Sequence, residues 1–236
     1  MNRYDIAKAH AKNRTKIKKA ITQLNRSLNQ AIKENKKELE YTNIRMMMIL
    51  YAAYLESSLS YLLYFHGAQI KMVSVDYILD KPSVYERWKH FTDYSFRRNF
   101  LDGKIRALNL INLKHTNFNR YQYLHSLIDN EIRAIIEIRN KLAHGQWAIA
   151  FNSDGDEKNH EVTTKLWTLS KKDVIATKNI VTRFTEIMHV LISSKEHFSK
   201  IFDEVVGALE ENKVTHEEQY SKMLESIKRK KRPSEV

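Results

Sequence analysis

The sequence predicts a mainly α-helical protein of 236 residues with long helices at both ends and one small β-hairpin. Two prolines and five glycines leave few positions for the tight turns of an all-β protein. Apolar residues recur at intervals of three and four, the period of a helix with one buried face. We expect a basic N-terminal helix over residues 1–40, a helical domain over residues 41–212, and a basic, mobile tail over residues 213–236.

The composition also excludes several classes of function. The chain has no cysteine, which removes disulfides, thiolate metal sites and cysteine nucleophiles. It lacks a Gly-x-x-x-x-Gly-Lys loop, a Gly-x-Gly-x-x-Gly turn and a His-Glu-x-x-His helix, so nucleotide hydrolysis, dinucleotide redox chemistry and zinc proteolysis have no sequence support. No eighteen consecutive residues are apolar, and Met1–Asp5 does not open a signal peptide. We therefore expect a cytoplasmic protein with no cofactor, no metal and no membrane association.

The net charge of +12 and the pI near 9.6 make a polyanion the natural partner. Charge alone does not distinguish RNA, DNA and an anionic membrane. The first helix has a single apolar stripe and basic residues on its other faces. These cations either form a solvated helix face or contact phosphates. The candidate RNA contacts are Lys12, Arg14, Lys16, Lys18 and Lys19 on this helix and Lys141 later in the chain.

The second helix, from Ile44 to Phe65, is apolar on more than one side, which predicts that it is buried. Glu56 is an acid among its apolar residues. Because a buried charge is costly without a partner, Glu56 either faces water or meets a cation.

A Ser83-x-x-Glu86 capping box directly after Pro82 predicts the start of another helix, which we expect to run toward Asp102. Its many aromatic residues are interleaved with arginine, lysine and histidine. Such aromatics either pack in a core or stack on nucleic-acid bases.

A later helix begins near Asn119 and ends at Gly145, a glycine free to adopt a positive φ after the helix C-cap. Residues 147–151 and 163–169 then alternate between apolar and polar, which predicts a β-hairpin with a polar tip. A second capping signal at Ser170 predicts one long closing helix.

The end of the helix before Gly145 carries groups suited to acid–base chemistry on a phosphate. Arg139 keeps its charge and presents a rigid fork that fits phosphate oxygens, and histidine, the residue type at position 144, is suited to moving a proton. Asn140 and His144 are four residues apart and share one helix face, while Arg139 lies on a neighbouring face. A base, an acid and a cation are enough to cleave RNA through its 2′-hydroxyl without a metal.

One histidine per chain is too few for separate acid and base roles. A homodimer that joins two copies of this segment at a two-fold axis would supply two histidines and two arginines to one cleft. In the alternative interpretation, His144 only interacts with the dipole of the helix C-terminus, and Arg139 forms a surface ion pair with Glu137 or another acid.

The segment Arg139–Gly145 resembles the Arg-polar-x-x-x-His signature of the HEPN superfamily, with Asn140 at the polar position and four residues between the arginine and the histidine. Its context is similar too, because the motif ends a helix just before a glycine. Upstream, Tyr54-Leu55-Glu56 is similar to the acid-bearing helix of several HEPN groups. The resemblance covers about residues 40–212.

This resemblance implies a helical bundle, a symmetric dimer and metal-independent endoribonuclease activity, in proteins that act as toxins, abortive-infection factors or other antiviral effectors. His144 would be the general acid or base, Arg139 the phosphate clamp and Asn140 a polar orienter, and Glu56 would position Arg139 or His144. An antitoxin or sensor protein is then an expected partner. The alternative function is a non-catalytic module that binds RNA or a partner protein, although such HEPN proteins often lack the arginine or histidine that this chain has.

Overall fold

The computed structural model describes residues 1–229, apart from the side chains of residues 213–217 and 219, and this part of the chain is almost entirely helical. The α-helices in chain order are α1 (Arg3–Lys33), α2 (Lys37–Tyr64), α3 (Met72–Leu79), α4 (Val84–Phe100), α5 (Leu110–Leu127), α6 (Arg133–Ala143), α7 (His160–Thr168), α8 (Lys171–Ser193) and α9 (Lys195–Arg229). A short 3-10 turn follows α2 at His66–Ala68, and a π-helical turn, Ile128–Ile132, joins α5 to α6. The predicted mainly α-helical class is confirmed.

α2 is the central helix of the bundle, and α1, α6 and α8 pack around it. Leu55 and Leu63 of this helix are completely buried, in agreement with the predicted buried helix. By length and composition alone α2 is apolar enough to cross a membrane, but 56% of its apolar window is buried inside the fold. Burial on several sides is the pattern of a core helix in a bundle. The cytoplasmic location stays a prediction.

α1 and α2 form an antiparallel pair, joined by a turn at residues 34–36. Arg3, at the start of α1, lies beside the end of α2 and donates hydrogen bonds to the backbone oxygens of Leu63 and Tyr64 at 2.9 and 3.3 Å. Because the C-terminus of a helix carries partial negative charge, this cation stabilises the end of α2.

The start of α4 is capped at the predicted residue, since Glu86 N donates to Ser83 Oγ at 3.1 Å. Trp88 and Phe96 of this helix are completely buried. Trp88 packs edge-on against Phe184 of α8, with 4.8 Å between the ring centroids. Because a buried ring cannot stack on a base, the prediction that aromatic residues of α4 pack in the core is confirmed for Trp88 and Phe96.

The predicted β-hairpin after the motif helix is wrong. Among the described residues there, the strand pairing is limited to one isolated bridge between Phe151 and Lys158, and the supposed second strand is α7. Asn159 caps α7 by accepting a hydrogen bond from Val162 N at 3.0 Å. Thr163 and Leu166 are three residues apart and both buried. A helix places residues three apart on one face, whereas a strand points them to opposite faces, so the helical conformation buries both side chains.

The single closing helix predicted from Ser170 consists of two helices. The capping box formed by Ser170 and Asp173 begins α8 as predicted. Ser194 then adopts an extended backbone, with φ −154° and ψ 114°, and separates α8 from α9. α9 turns back along α8 and brings Tyr220 near Asp173; burial raises the pKa of the Tyr220 phenol, and the charges of Glu40 and Asp173 raise it further.

The predicted boundary between the helical domain and the tail, at residues 212 and 213, lies inside α9. This helix continues to Arg229, so Lys228 and Arg229 at the start of the basic run belong to it. Residues 230–236 of the predicted mobile tail lie outside the described residues.

Leu55 tests how far the bundle depends on α2. Leu55→Ala removes a completely buried side chain and should lower the free energy of unfolding by about 2–5 kcal/mol. Met46 lies on the same helix but is 37% exposed, and Met46→Ala should cost less than about 1 kcal/mol. Urea unfolding followed by circular dichroism measures both changes. Equal losses for the two variants would contradict the complete burial of Leu55 on the core side of α2.

Candidate active site

The motif helix is built from successive helical segments. α5 contains a non-helical residue, Lys114, with φ 61° and ψ 165°. Its continuous part therefore begins at residue 115, close to the predicted start near Asn119. The π-helical turn Ile128–Ile132 leads into α6, and such turns occur frequently at functional sites. Buried residues orient the last two segments against the core: Ile128, Ile132, Ile135, Ile136, Ile138 and Leu142.

α6 ends in a cap built on a glycine. His144 is the C-cap residue, and Gly145 follows it with a φ of 77°, so the predicted glycine stop is confirmed. Gly145 N donates to Leu142 O at 3.2 Å, and Gln146 N donates to Lys141 O at 2.9 Å. These two hydrogen bonds form a Schellman motif, which satisfies carbonyls that the helix leaves unpaired. The cap fixes the point at which His144 leaves the helix.

Arg139 reaches from α6 to α2. Its Nη2 donates to Glu56 Oε2 at 2.9 Å, although the two residues are 83 positions apart in the sequence. The Glu56 side chain is 47% exposed and the Arg139 side chain 23% exposed. Glu56 therefore faces water and meets a cation at the same time. The alternative interpretation predicted an ion pair between Arg139 and Glu137 or another acid. Arg139 does form an ion pair, and its partner is Glu56 on another helix rather than Glu137.

The ion pair contributes more to orientation than to stability. Pairs with this degree of exposure contribute only about 0.2–1 kcal/mol. Arg139 Nε is buried, however, and has no hydrogen-bond partner among the described residues. Glu56 thus holds one edge of a guanidinium whose inner nitrogen lies against the core, and this arrangement restricts the positions that Arg139 can adopt.

His144 and Asn140 are exposed, and neither side chain forms a hydrogen bond or an ion pair with any described residue. Within one chain, Arg139 and Glu56 are brought together, whereas Asn140 and His144 do not contact them by hydrogen bonds. Lys141, a candidate RNA contact, donates instead to the backbone oxygen of Phe151. Lys141 therefore fastens the segment that follows α6 to the end of that helix.

The candidate RNA contacts on α1 divide into two groups. Arg14 donates from Nε to Ser58 Oγ at 3.1 Å and from Nη2 to the Tyr54 hydroxyl at 2.9 Å. Lys18 Nζ lies 5.2 Å from the centre of the Tyr54 ring. Both cations are thus directed toward α2. The remaining candidates are exposed and have no polar partner among the described residues: Lys12, Lys16 and Lys19.

The two inward cations change the acidity of their neighbours. Burial raises the pKa of Tyr54, but the charges and hydrogen bonds of Arg14 and Lys18 outweigh it, so the net shift is downward. Burial, together with the charge of Arg14, lowers the pKa of His189 on α8. Arg14 therefore lowers the pKa of residues on both α2 and α8.

A polar cluster between α4 and α5 was not predicted from the sequence. Asp93 Oδ1 lies 2.9 Å from both the Tyr121 hydroxyl and His125 Nε2. Burial raises the pKa of the Asp93 carboxyl, but the hydrogen bonds from His125 and Tyr121 and the charge of Arg97 hold it below its ordinary value. The cluster borders a groove of about 960 Å³ between α3 and α4. No local pattern could identify it, because its members are 28 and 32 residues apart in the sequence.

Comparison of the chain with protein-family models, curated protein sequences and solved structures gives no match. The resemblance to the HEPN superfamily therefore rests on the motif and its helical context. Among the described residues, no three histidine, aspartate or glutamate side chains are grouped so that they could hold a metal ion.

Gly145→Ala tests the cap that positions His144. A residue with a Cβ is strained at a φ of 77°, so the free energy of unfolding should fall by about 1 kcal/mol. Gly207 in α9 is the matched control, because a Cβ there meets nothing within 4 Å. Gly207→Ala should raise the free energy of unfolding by about 0.5–1 kcal/mol. Urea midpoints that shift in the same direction would contradict the assigned cap.

Proposed function

We propose that this protein is a metal-independent endoribonuclease of HEPN type, with Arg139, His144, Asn140 and Glu56 in its active site. The observation that carries the proposal is the 2.9 Å ion pair that holds Arg139 on Glu56, close in the chain to the exposed His144 at the end of α6. A fixed cation five residues before an accessible acid–base group supplies the kinds of groups that RNA cleavage by the 2′-hydroxyl requires.

In the proposed reaction, a base removes the proton of a ribose 2′-hydroxyl, and the 2′-oxygen attacks the adjacent phosphorus. The bond between phosphorus and the 5′-oxygen breaks, and an acid donates a proton to that oxygen as it leaves. The products carry a 2′,3′-cyclic phosphate and a 5′-hydroxyl. His144 supplies the base or the acid, since imidazole exchanges protons near neutral pH.

Arg139 is suited to the role of phosphate clamp. Its Nη2 is bound to Glu56, and its Nη1 has no hydrogen-bond partner among the described residues, which leaves a charged donor for a phosphate oxygen. Glu56 acts as a positioning residue because it orients the guanidinium plane. The exposed amide of Asn140 lies one helical turn before His144 and is available to orient that histidine or the substrate.

The second acid–base group comes from a second copy of the chain. Each chain offers one histidine in the motif, and a two-fold axis close to the end of α6 would place two exposed copies of His144 on one RNA strand. We accordingly propose a homodimer whose cleft is formed by both protomers.

The proposed activity fits a toxin or antiviral effector in the cytoplasm. An endoribonuclease of this kind damages its own cell unless it is silenced, so an antitoxin or sensor protein is the corresponding partner. The sequence of the RNA that is cut is not specified by this proposal.

Substitution of the motif residues tests the activity directly. His144→Ala should lower the rate of RNA cleavage by about 10²–10⁴-fold, because a proton-transfer group is lost. Arg139→Ala should also abolish cleavage while the dimer persists in size-exclusion chromatography, and EDTA should have no effect on the wild type. His160→Ala changes another exposed histidine and should leave the rate unchanged. RNA cleavage by the purified variants is measured, and the 5′ and 3′ ends of the products are mapped.

Full activity in either motif variant would contradict the proposal. RNA binding by the wild type without any cleavage products would instead favour the non-catalytic alternative.

Glu56→Gln tests the positioning role. The amide can still accept a hydrogen bond from Arg139 but lacks the charge, so we expect a partial loss of kcat with little change in the urea midpoint. Glu56→Ala removes the contact and should lower kcat further. A full rate in Glu56→Ala would show that Arg139 needs no support from α2.

A further inference from the structure

The outer face of α1 carries a straight row of cations. Successive residues of an α-helix are rotated by about 100° and rise by 1.5 Å. The side chains of five basic residues of α1 therefore fall within an arc of about 80° and span about 27 Å along the helix. All five are exposed. This α1 basic row consists of Lys8, Lys12, Lys16, Lys19 and Arg26.

The α1 basic row has no internal neutralisation. The chain contains no aspartate or glutamate between Ile6 and Lys33, and no residue of the row forms an ion pair, a hydrogen bond or a ring contact with the described residues. Like charges four residues apart repel each other and weaken a helix. An external anion would remove this repulsion, which is why the row points to a ligand rather than to a structural role.

The row also faces away from the proposed active site. On α1, Arg14 is rotated by about 200° from Lys12 and contacts Tyr54 of α2. On α2, Glu56 is rotated by about 200° from Tyr54 and contacts Arg139 of α6. α2 thus separates α1 from α6, and the row on α1 is directed away from both α2 and α6.

We infer that the α1 basic row binds the sugar–phosphate backbone of a nucleic acid, on a surface separate from the Arg139 and His144 site. A long linear array of cations matches a backbone with regularly spaced charges. Gln23 lies in the same arc and is exposed, and its amide group can bond to phosphate or sugar oxygens. The proposed contacts are to phosphate and sugar oxygens, which carry no sequence information, so we expect binding without regard to base sequence.

An anionic membrane fits this surface less well. Helices that lie on membranes insert an apolar face beside their basic residues. In this protein the apolar face of α1 is already used, since Ile17, Ile21 and Leu24 pack against the core. The proposed nucleic-acid surface does not depend on the proposed ribonuclease activity, since it concerns binding alone.

The test compares two triple variants that lose the same charge. Lys12→Gln, Lys16→Gln and Lys19→Gln together change the row, whereas Lys104→Gln, Lys178→Gln and Lys200→Gln change exposed lysines elsewhere. Both are made in the His144→Ala chain so that no RNA is cut. Glutamine and lysine have similar helix propensities, so α1 should remain folded, which circular dichroism verifies. Fluorescence anisotropy measures the affinity for a labelled RNA duplex and a DNA duplex of the same length, between about 50 and 200 mM salt.

The row variant should bind both duplexes at least tenfold more weakly, and the slope of log affinity against log salt should fall by about 2–3, or roughly 0.7–0.9 for each lost contact. The control variant should bind like the parent. Equal losses in both variants would show that only net charge matters and would overturn the inference. The inference would also be overturned if the protein bound phosphatidylserine vesicles through the row but did not bind nucleic acid. Cleavage by the wild type is scored separately, so either proposal can fail alone.

Discussion

The burial of α2 on several sides is the constraint on which the rest of the structure depends. Three consecutive residues of this helix point in directions that differ by about 100° each. Tyr54 meets Arg14 of α1, Leu55 is enclosed in the core, and Glu56 meets Arg139 of α6. α2 thus fixes the orientation of the basic helix α1 and of the motif helix α6. Its apolar contacts hold both of these helices in place.

The same constraint divides the cations of the chain by function. Arg3, Arg14 and Lys18 are directed at α2, where they bond to helix-end carbonyls or lie against a tyrosine. Their charges are used inside the fold. The lysines rotated by about half a turn on α1 keep their charges free toward solvent, and His144 at the end of α6 is also unpaired. One part of the positive charge therefore supports the bundle, and the other part remains exposed to solvent.

The proposed ribonuclease and the proposed binding surface complement each other. A motif site with one histidine per chain needs a second protomer, and a two-fold dimer would carry two α1 basic rows as well as one composite cleft. Binding of backbone phosphates along these rows would raise the local concentration of RNA around the cleft without selecting its sequence. Selection of the RNA would then belong to the cleft or to a partner protein.

The sequence by itself determined the helical class, the buried character of α2, the caps of α4 and α8, and the stop at Gly145, because each depends on residues close together in the chain. The strand prediction for residues 163–169 was wrong because the alternation there coexists with the burial of Thr163 and Leu166, three residues apart, which a helix but not a strand places on one face. The break at Ser194 was not predicted, because apolar residues recur at helical spacing on both sides of this residue. For the proposed site, the sequence suggested Arg139 and His144, which stay predictions, and Glu56 as the partner of Arg139 was suggested only by a resemblance. Tertiary packing decided that Arg139 turns to Glu56 and that Arg14 and Lys18 turn inward while Lys12, Lys16 and Lys19 do not. The direction in which a long cationic side chain points depends on which helix packs against it, and that information is not local.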